Sequence, residues 1–304
     1  MPKYETKKIL VIGSSNTDMV IKTSRFPLPG ETILGGHFFM NQGGKGANQA
    51  VTVSRLKGDV NFICKTGNDI FREQSVNLFK NEGIDTKWMF IDNERPSGVA
   101  LIMVDETAEN SIVVASGANG NLSKEDIDKV VEVLEQSDFI LMQLEIPLET
   151  VEHVINLVWQ KGGKVILNPA PAAVLPEDLL NKLYLITPNK IEAESLSGIK
   201  ITDEKSLEEA AKAIFDKGVK NVIITLGDEG VLIYNGRYEW IPAEKTESVD
   251  TTGAGDVFNG ALTVALSEGQ SLSNAVKFAN KAAAISITRY GAIPSIPYRD
   301  EVLG

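Results

Sequence analysis

Residues 139–144 (FILMQL), 149–160 (ETVEHVINLVWQ) and 164–167 (KVIL) decide the fold of this chain. The first and the last are short apolar runs with the length of a buried strand. The middle segment places Val151, Val154, Ile155 and Val158 at spacings of three, four and seven residues, which predicts an amphipathic helix. A strand, a helix and a second strand in this order predict a parallel βαβ unit.

The same alternation continues on both sides of this unit. Strand-like runs lie at residues 9–12, 61–64, 183–187 and 221–226, and helix-like segments lie at residues 124–136 and 207–217. Ser123, which acidic residues follow, is the predicted N-cap of the segment that begins at residue 124. We therefore predict an α/β protein, a three-layer α/β/α sandwich around a mostly parallel central sheet, in a single domain over residues 1–304.

Two stretches depart from the alternation, at residues 19–40 and 95–114. The second contains the runs VALIMV (99–104) and SIVV (111–114) on either side of a polar segment, which predicts a β-hairpin. Both adjoin switch points of the predicted sheet, where open α/β proteins bind ligands. We predict that residues 16–42 and 95–117, approximately, form a small β-sheet lid inserted into the main domain.

Composition excludes several classes of function. The 304 residues carry a net charge of -11, which argues against general nucleic-acid binding, because that binding needs a basic surface. With Cys64 as its single cysteine and two distant histidines, His37 and His153, the sequence predicts neither a disulfide framework nor a zinc site. The N-terminus lacks a signal-peptide pattern, and no apolar run has the length of a membrane span. We therefore expect a cytoplasmic protein without a membrane segment.

The strongest chemical signal is residues 250–256 (DTTGAGD), which a helix-like segment at residues 257–267 follows. Gly253 and Gly255 allow close approach of the backbone to a ligand and a sharp turn into the helix. The free N–H groups at a helix start favour a phosphoryl anion. Asp256 beside them is placed to take a proton from an attacking hydroxyl. The alternative is an aspartate that only caps the helix after a glycine turn.

Other polar groups mark the predicted ligand edge of the sheet. Residues 43–50 (GGKGANQA) place Lys45, Asn48 and Gln49 at a helix start, where they suit sugar hydroxyls. Asn16 and Asp18 follow the first strand, and Glu145, Asn189 and Glu192 follow later ones, although turn formation or loop solvation explains each of these taken singly. Neither a Rossmann fingerprint nor a Walker A loop is present, so a bound nucleotide would need another site.

Together these segments resemble the ribokinase-like (pfkB) carbohydrate kinase family over nearly the whole chain. The motifs that carry the resemblance, in family order, are 13–18 (GSSNTD), 26–32 (FPLPGET), 43–50 (GGKGANQA), 143–145 (QLE), 168–171 (NPAP), 187–192 (TPNKIE), 225–227 (TLG) and 250–260 (DTTGAGDVFNG). The resemblance implies ATP-dependent phosphorylation of a sugar, with the 5-hydroxyl of ribose as the first expectation. Fructose, deoxyribose or adenosine remain alternative substrates, and a sugar-binding regulator without catalysis is a rival from another class.

The resemblance also implies roles for single residues. It makes Asp256 the catalytic base, with Gly253, Ala254 and Gly255 as the anion hole. It assigns the sugar site to Asn16, Asp18, Gly44, Lys45, Gly46, Asn48 and Glu145, together with Asp256. It assigns the ATP site to Asn189, Thr225, Gly227, Asp228, Gly230, Gly255 and Asn280, with the adenine near Asn280.

Metals and self-association follow from the same resemblance. It implies Mg²⁺ with the ATP, in a water network that includes Glu192. It implies a monovalent cation, usually K⁺, held largely by backbone at Asp250, Thr252, Ser286, Arg289, Gly291 and Ser295. It also implies a homodimer formed through the lids, with a sugar and ATP as the small-molecule partners.

Overall fold

The structure, a computed structural model, describes residues 7–107 and 109–304. Within these ranges the strands form one sheet of nine strands and a second sheet of four. In chain order the strands are β1 (Lys8–Ile12), β2 (Asn16–Lys22), β3 (His37–Gly43), β4 (Asp59–Gly67), β5 (Met89–Asp92), β6 (Gly98–Val104), β7 (Asn110–Ala115), β8 (Phe139–Met142), β9 (Lys164–Leu167), β10 (Leu185–Ile186), β11 (Val222–Thr225), β12 (Val231–Tyr234) and β13 (Tyr238–Ile241).

Helices connect these strands. In chain order they are α1 (Lys45–Arg55), α2 (Ile70–Asn81), α3 (Lys124–Asp128), α4 (Val131–Glu135), α5 (Leu148–Gln160), α6 (Glu177–Leu180), α7 (Lys190–Ser197), α8 (Glu204–Asp216), α9 (Ala254–Ser267), α10 (Leu272–Ser286) and α11 (Arg299–Leu303). Short 3₁₀ turns lie at Gly117–Asn121, Gly227–Glu229 and Ile293–Ser295. Within the described ranges, no helix combines the length and the apolar character needed to cross a membrane.

The large sheet has the strand order β13-β12-β11-β10-β9-β8-β1-β4-β5. Its strands from β11 to β5 are parallel, and β12 and β13 continue the sheet in antiparallel fashion, with β13 at the edge. Strand β8 is buried along its whole length, as expected of a parallel strand covered by helices on both faces. The predicted α/β class with a mostly parallel central sheet is confirmed.

Two separate cores show the three layers. Ile9 and Val11 of β1 pack with α1, α9 and α10, whereas Leu10 and Ile12 of the same strand pack with the α3–α8 side. Successive side chains of a strand point to opposite faces of a sheet, so β1 lies between two helical layers. The carboxyl end of β1 thereby leads to the same edge as the starts of α1 and α9.

The second sheet has the order β3-β2-β6-β7, with β2 parallel to β6 and the outer pairs antiparallel. These four strands lie in the segments for which the sequence predicts a lid. Asn16 opens β2 and pairs with Gly43 and Gly98, so the small sheet starts next to the carboxyl end of β1. Its action as a lid remains a prediction.

One predicted helix is wrong in its extent. Residues 124–136 do not form one helix, because Val130 leaves the helical region and separates α3 from α4. Ile127, Val130, Val133 and Leu134 nevertheless all enter the same core. Burial of the apolar residues on both sides of the break therefore outweighs helix continuity. The predicted N-cap is confirmed, since the Ser123 side chain accepts a hydrogen bond from the Asp126 N–H.

Candidate active site

Helix α9 begins at a glycine in the left-handed region. Gly253, its N-cap, has φ 77°, a conformation that a side chain would strain. A Cβ added at Gly255 would meet no atom within 4 Å, so this first-turn residue faces open space. The helix start therefore presents backbone N–H groups and the positive end of the helix dipole to a cavity.

Asp256 lies in the first turn of α9 and is only 6% exposed. Its Oδ2 accepts a hydrogen bond of 2.8 Å from Asn48 Nδ2, and its Oδ1 accepts one of 2.9 Å from Gln49 Nε2. Burial raises the pKa of Asp256, and the charge of Lys45 and these two amides oppose that rise. The carboxylate is thus desolvated, fixed in orientation and basic enough to accept a proton.

Two of the predicted sugar-site residues, Asn16 on β2 and Glu145 after β8, border the same space. Glu145 Oε2 accepts hydrogen bonds from Ser14 Oγ at 2.5 Å and from the Lys45 backbone N–H at 3.0 Å. Asn16 Oδ1 accepts one of 2.7 Å from Asn119 Nδ2. Asn16, Asn119 and Glu145 line a cavity of about 480 Å³. These contacts orient polar groups at a cavity of the size that a small ligand needs.

Asp18 adds a second acidic side chain to this region. A Cβ at Gly43 would lie 2.2 Å from Asp18 Oδ2, so position 43 has to be glycine for the carboxylate to fit. Burial, followed by the charges of Glu145 and Asp256, raises the pKa of Asp18 to about 6. The charge of Asp256 raises the pKa of Lys45 despite the burial of the ammonium group. Three carboxylates and one ammonium group therefore share one electrostatic environment.

Two cavities that share lining residues lie at the start of α9. The larger, of about 770 Å³, is lined by the predicted ATP-site residues Thr225, Gly227, Asp228, Gly230, Gly255 and Asn280. The smaller, of about 160 Å³, is lined by Lys45, Asn189, Glu192 and Asp256. Thr225, Thr251, Ala254 and Gly255 line both. The start of α9 therefore borders both cavities, and Asp256 lines the smaller one.

Asn189 and Glu192 hold each other at the start of α7. Asn189 Oδ1 accepts from the Glu192 N–H at 2.9 Å, and Glu192 Oε2 accepts from the Asn189 N–H at 2.8 Å. This is a reciprocal capping box, so both side chains have a structural role besides lining the small cavity. The pKa of Glu192 is raised, and burial is the largest cause of this rise.

Two hydrogen bonds join three of the residues predicted for a monovalent cation. Asp250 Oδ1 accepts from the Thr252 N–H at 2.9 Å, and Asp250 Oδ2 accepts from the Gly291 N–H at 2.8 Å. The hydroxyls of Ser286 and Ser295 are buried but donate to carbonyls in their own turns. The Arg289 side chain pairs with Glu301, so only its backbone is available for a cation. Among the described residues, no cluster of three His, Cys, Asp or Glu side chains forms a metal site.

Several polar residues of the site were not predicted as part of it. Ser14 donates a hydrogen bond to Glu145, and Asn119 donates one to Asn16. Gln143 donates to Gln49, which in turn donates to Asn168 and to Asp256. Gln49 itself was expected to face a sugar, and this is wrong, since its amide is directed at Asp256. Its place in the GGKGANQA motif was visible in the sequence, but the direction of its side chain depends on how α1 packs against α9.

Comparisons with known proteins agree with this geometry. A family model described as pfkB family carbohydrate kinase matches residues 6–299. Ribokinase of Haemophilus influenzae is 44% identical over 298 residues, which cover 98% of this chain and 97% of that protein. Deoxyribokinase of Salmonella typhi is 38% identical over 291 residues, which cover 95% of each. The structure of Arabidopsis thaliana ribokinase complexed with ribose and ATP has a TM-score of 0.92 and 30% identity, with 98% of each chain covered.

Proposed function

The chain belongs to the pfkB family of carbohydrate kinases, and from this premise we propose that it phosphorylates ribose. It transfers the terminal phosphoryl group of ATP to the 5-hydroxyl of D-ribose and gives D-ribose 5-phosphate and ADP. One observation carries this proposal. Asp256 lines the smaller cavity at the start of α9 and lies close enough to Asp18 and Glu145 for their charges to interact. Both of its carboxylate oxygens accept hydrogen bonds from amides.

The reaction needs alignment and charge stabilisation more than covalent chemistry. The 5-oxygen of ribose forms a bond to the γ-phosphorus while the bond from that phosphorus to the bridging oxygen of ADP breaks. Asp256 accepts the hydroxyl proton as the oxygen attacks, and later releases it to solvent. The first-turn N–H groups of α9 stabilise the charge that develops on the phosphoryl oxygens.

We assign sugar recognition to Asp18, Glu145, Lys45 and Asn48, of which Glu145 lines the cavity of about 480 Å³. The carboxylates of Asp18 and Glu145 accept hydrogen bonds from sugar hydroxyls, and Lys45 and Asn48 donate to sugar oxygens. Gly44 and Gly46 belong to the same motif: a Cβ at Gly44 would lie 2.8 Å from the Asn16 N, and one at Gly46 would lie 2.6 Å from the Ser14 N. Residues without side chains at 44 and 46 therefore let the start of α1 approach β1 closely.

ATP occupies the larger cavity, with its phosphates at the start of α9. The adenine lies toward Asn280, whose Nδ2 donates to the Pro242 carbonyl at the rim. A magnesium ion suits the smaller cavity, because carboxylate and amide oxygens and waters are its usual ligands and Glu192 and Asn189 line that space. When bound, it neutralises phosphate charge. Glu192 and Asn189 would hold its water shell.

We further propose that a monovalent cation such as K⁺ binds beside the anion hole. The half-buried carboxylate of Asp250, which accepts hydrogen bonds from the backbone N–H groups of residues 252 and 291, supplies negative charge there. Such a cation increases the positive field at the start of α9. Removal of K⁺ by exchange into a large organic cation should lower turnover. Unchanged turnover at nanomolar K⁺ would argue against this site.

A second candidate function is phosphorylation of deoxyribose, which the similarity to a deoxyribokinase favours. The two sugars differ only at the 2-hydroxyl, so the polar groups of the proposed sugar site determine which sugar is the better substrate. A site built to hydrogen-bond that hydroxyl rejects a sugar that lacks it by a large factor.

An ADP-release assay over ribose, deoxyribose, fructose and adenosine tests the substrate. We expect the highest kcat/KM with ribose. Asp256→Asn keeps the shape of the side chain and removes the base, and should lower turnover by about 10²–10⁴-fold while ATP still binds in calorimetry. Wild-type turnover in this variant would exclude Asp256 as the base. Sugar binding without ADP release in the wild type would instead support a regulator.

Two properties of the whole protein complete the proposal. We propose a homodimer formed through the second sheet, whose outward face is apolar and exposed. The second sheet also acts as the lid that excludes water during transfer. The need for ATP and the single buried thiol, Cys64, support a location in the cytoplasm.

A further inference from the structure

Two buried side-chain oxygens in the described part of the chain have no hydrogen-bond partner, Asn48 Oδ1 and Gln143 Oε1. Buried polar atoms rarely lack a partner, because an unpaired atom loses its hydration without compensation. Both atoms belong to amides that are linked by hydrogen bonds to the Asp256 carboxylate. One group therefore explains both exceptions.

The direction of every amide follows from that carboxylate. An ionised carboxylate only accepts hydrogen bonds, so a neighbouring amide has to turn its NH₂ group toward it. Asn48 does this directly, and its Oδ1 is left without a donor. Gln49 donates to Asp256 Oδ1 at 2.9 Å and therefore points its Oε1 at Gln143, whose Nε2 donates to it at 2.5 Å. The oxygen of Gln143 is then left over.

The chain of amides ends against a glycine. A Cβ at Gly13 would lie 2.1 Å from Gln143 Oε1, so a side chain at position 13 would displace this amide. Gln49 and Gln143 are both fully buried, and Gln49 Nε2 also donates to Asn168 Oδ1 at 3.2 Å. Hydrogen bonds at both ends of Gln49 thus fix the orientation of its amide.

We propose that Gln143 and Gln49 form an amide relay that positions the Asp256 carboxylate and keeps an N–H donor directed at its Oδ1. Both act through Asp256 and are therefore positioning residues. The proposal rests on the proposed function, in which Asp256 is the base. In this relay the two oxygens stay unpaired because every amide turns its NH₂ group so that Asp256 remains an oriented acceptor.

Other groups also face Asp256 and have to be considered in any pH dependence. Lys45 of α1 lowers the pKa of Asp256, and Glu145, after β8, raises it. The charge of Asp256 in turn raises the pKa of Asp18 on β2 and of Glu192 on α7. Substitutions of Gln143 or Gln49 leave these four charged groups in place. A shift in the pKa of Asp256 in such a variant therefore reports the loss of the relay.

Gln143→Met tests the relay, because methionine has a similar length and cannot donate to Gln49. Gln49 is then free to turn its oxygen toward Asp256, which disfavours the ionised form and raises the pKa of Asp256. The acid limb of the pH profile of kcat with ribose should move upward by about one pH unit, the effect of one hydrogen bond to a charged group. At high pH the difference in turnover from wild type should become smaller, because Asp256 is ionised in both proteins there and only the loss of positioning remains.

Thr52→Val is the matched control. Thr52 is buried on the same helix, its hydroxyl donates to the Asn48 carbonyl, and its side chain lies beside Gly260 of α9. This variant changes the α1–α9 contact and should leave the acid limb where it is in wild type. A shift of similar size in the control would assign the effect to helix packing and would overturn the relay.

A titration of the ligand-free protein supplies a readout apart from activity. The ¹³C carboxyl resonance of Asp256, assigned by its loss in Asp256→Asn, should titrate at higher pH in Gln143→Met than in wild type. Identical titrations would overturn the relay even if Asp256→Asn is inactive. A fully active Asp256→Asn would instead overturn the proposed function. Gln49→Met removes the donor itself and should shift the resonance in the same direction, so it serves if Gln143→Met does not fold.

Discussion

Single acidic residues determine the electrostatic character of the site. Asp18, Glu145 and Asp256 share one region with Lys45, so the ligand-free protein holds more negative than positive charge there. Burial is the largest cause of the raised pKa of both Asp18 and Asp256. A sugar bound at the proposed site would relieve this repulsion, because its hydroxyl groups would donate hydrogen bonds to the carboxylates.

Asp18→Asn should therefore stabilise the ligand-free protein while it weakens sugar binding. The pKa of Asp18 rises from 3.8 to about 6 on folding, so the folded state binds this proton more tightly than the unfolded state. Wild-type stability thus falls as the pH rises from about 4 to about 6 and is lower by about 2–3 kcal/mol above that range. Asparagine lacks this penalty. Urea unfolding at pH 8 should show a gain of about 2–3 kcal/mol for the variant, and a smaller gain at pH 5.

Glu247→Gln is a control for the change of net charge. Glu247 is exposed, so its neutralisation should leave the free energy of unfolding within about 0.5 kcal/mol of wild type at both pH values. A destabilised Asp18→Asn at pH 8 would contradict the expected effect and would show that the carboxylate is favourably paired in the folded protein.

At this scale the sequence predicted which residues carry chemistry better than where their side chains point. Asp256 and Glu145 were recognisable because they lie in the DTTGAGD and QLE motifs, although each acidic residue taken singly has a structural explanation. Gln143 lies in the QLE motif as well, but nothing in the local sequence predicts that its side chain bonds to Gln49. Its contact with Gln49 joins residues 94 positions apart, and such a contact depends on tertiary packing.

At the scale of elements, the start of α9 contains two glycines that are needed for different reasons. Gly253 needs a positive φ, and a Cβ there would lie 3.2 Å from the Ala292 Cβ. Gly255 lies inside the helix, where any residue fits the backbone, and it faces the cavities. The fold therefore requires glycine at 253, whereas a ligand that approaches the backbone requires it at 255.

Gly255→Ala should separate stability from function. Alanine favours a helix over glycine by about 0.5–1 kcal/mol, so the thermal midpoint of the ligand-free variant should rise slightly. The added methyl group enters the space assigned to phosphate, and kcat/KM for ATP should fall by about 10- to 100-fold. Gly253→Ala should instead lower the free energy of unfolding by about 1–2 kcal/mol. Equal ATP kinetics in Gly255→Ala and wild type would place the phosphates elsewhere.

Element types were predictable where periodicity was strong, and element ends were not. The helix at 149–160 and the strand at 164–167 agree with α5 and β9, because their apolar patterns are long and clear. Strand β10 is limited to Leu185–Ile186, and residues 124–136 divide at Val130. In these cases the limits depend on neighbouring strands and on the shape of the core, which local sequence does not contain.

For the whole molecule, the arrangement of the two sheets gives the second sheet two different faces. Asp18 lies opposite Asn41 and Ala100 in the register and faces the site. The next row, Met40, Met19, Leu101 and Val113, lies on the other face, since successive residues alternate. On that face Leu101 is 54% exposed and Val113 is 66% exposed. Such an apolar row on a single sheet indicates an interface.

Leu101→Asp should abolish the proposed homodimer. Leu101 lies near the middle of the apolar row, so a dimer through this face would bury the new carboxylate without a partner, which costs about 3–5 kcal/mol. Sedimentation at about 10 μM should then show a dimer for wild type and a monomer for the variant, in line with a more than 100-fold loss of affinity.

Val174→Asp, at a residue that is 85% exposed in a loop, should remain dimeric. A monomeric wild type, or a dimeric Leu101→Asp, would exclude this face as the interface. Because Leu101 and Asp18 lie on opposite faces of one sheet, a loss of ribose affinity in the folded monomer would show that dimerisation supports the lid.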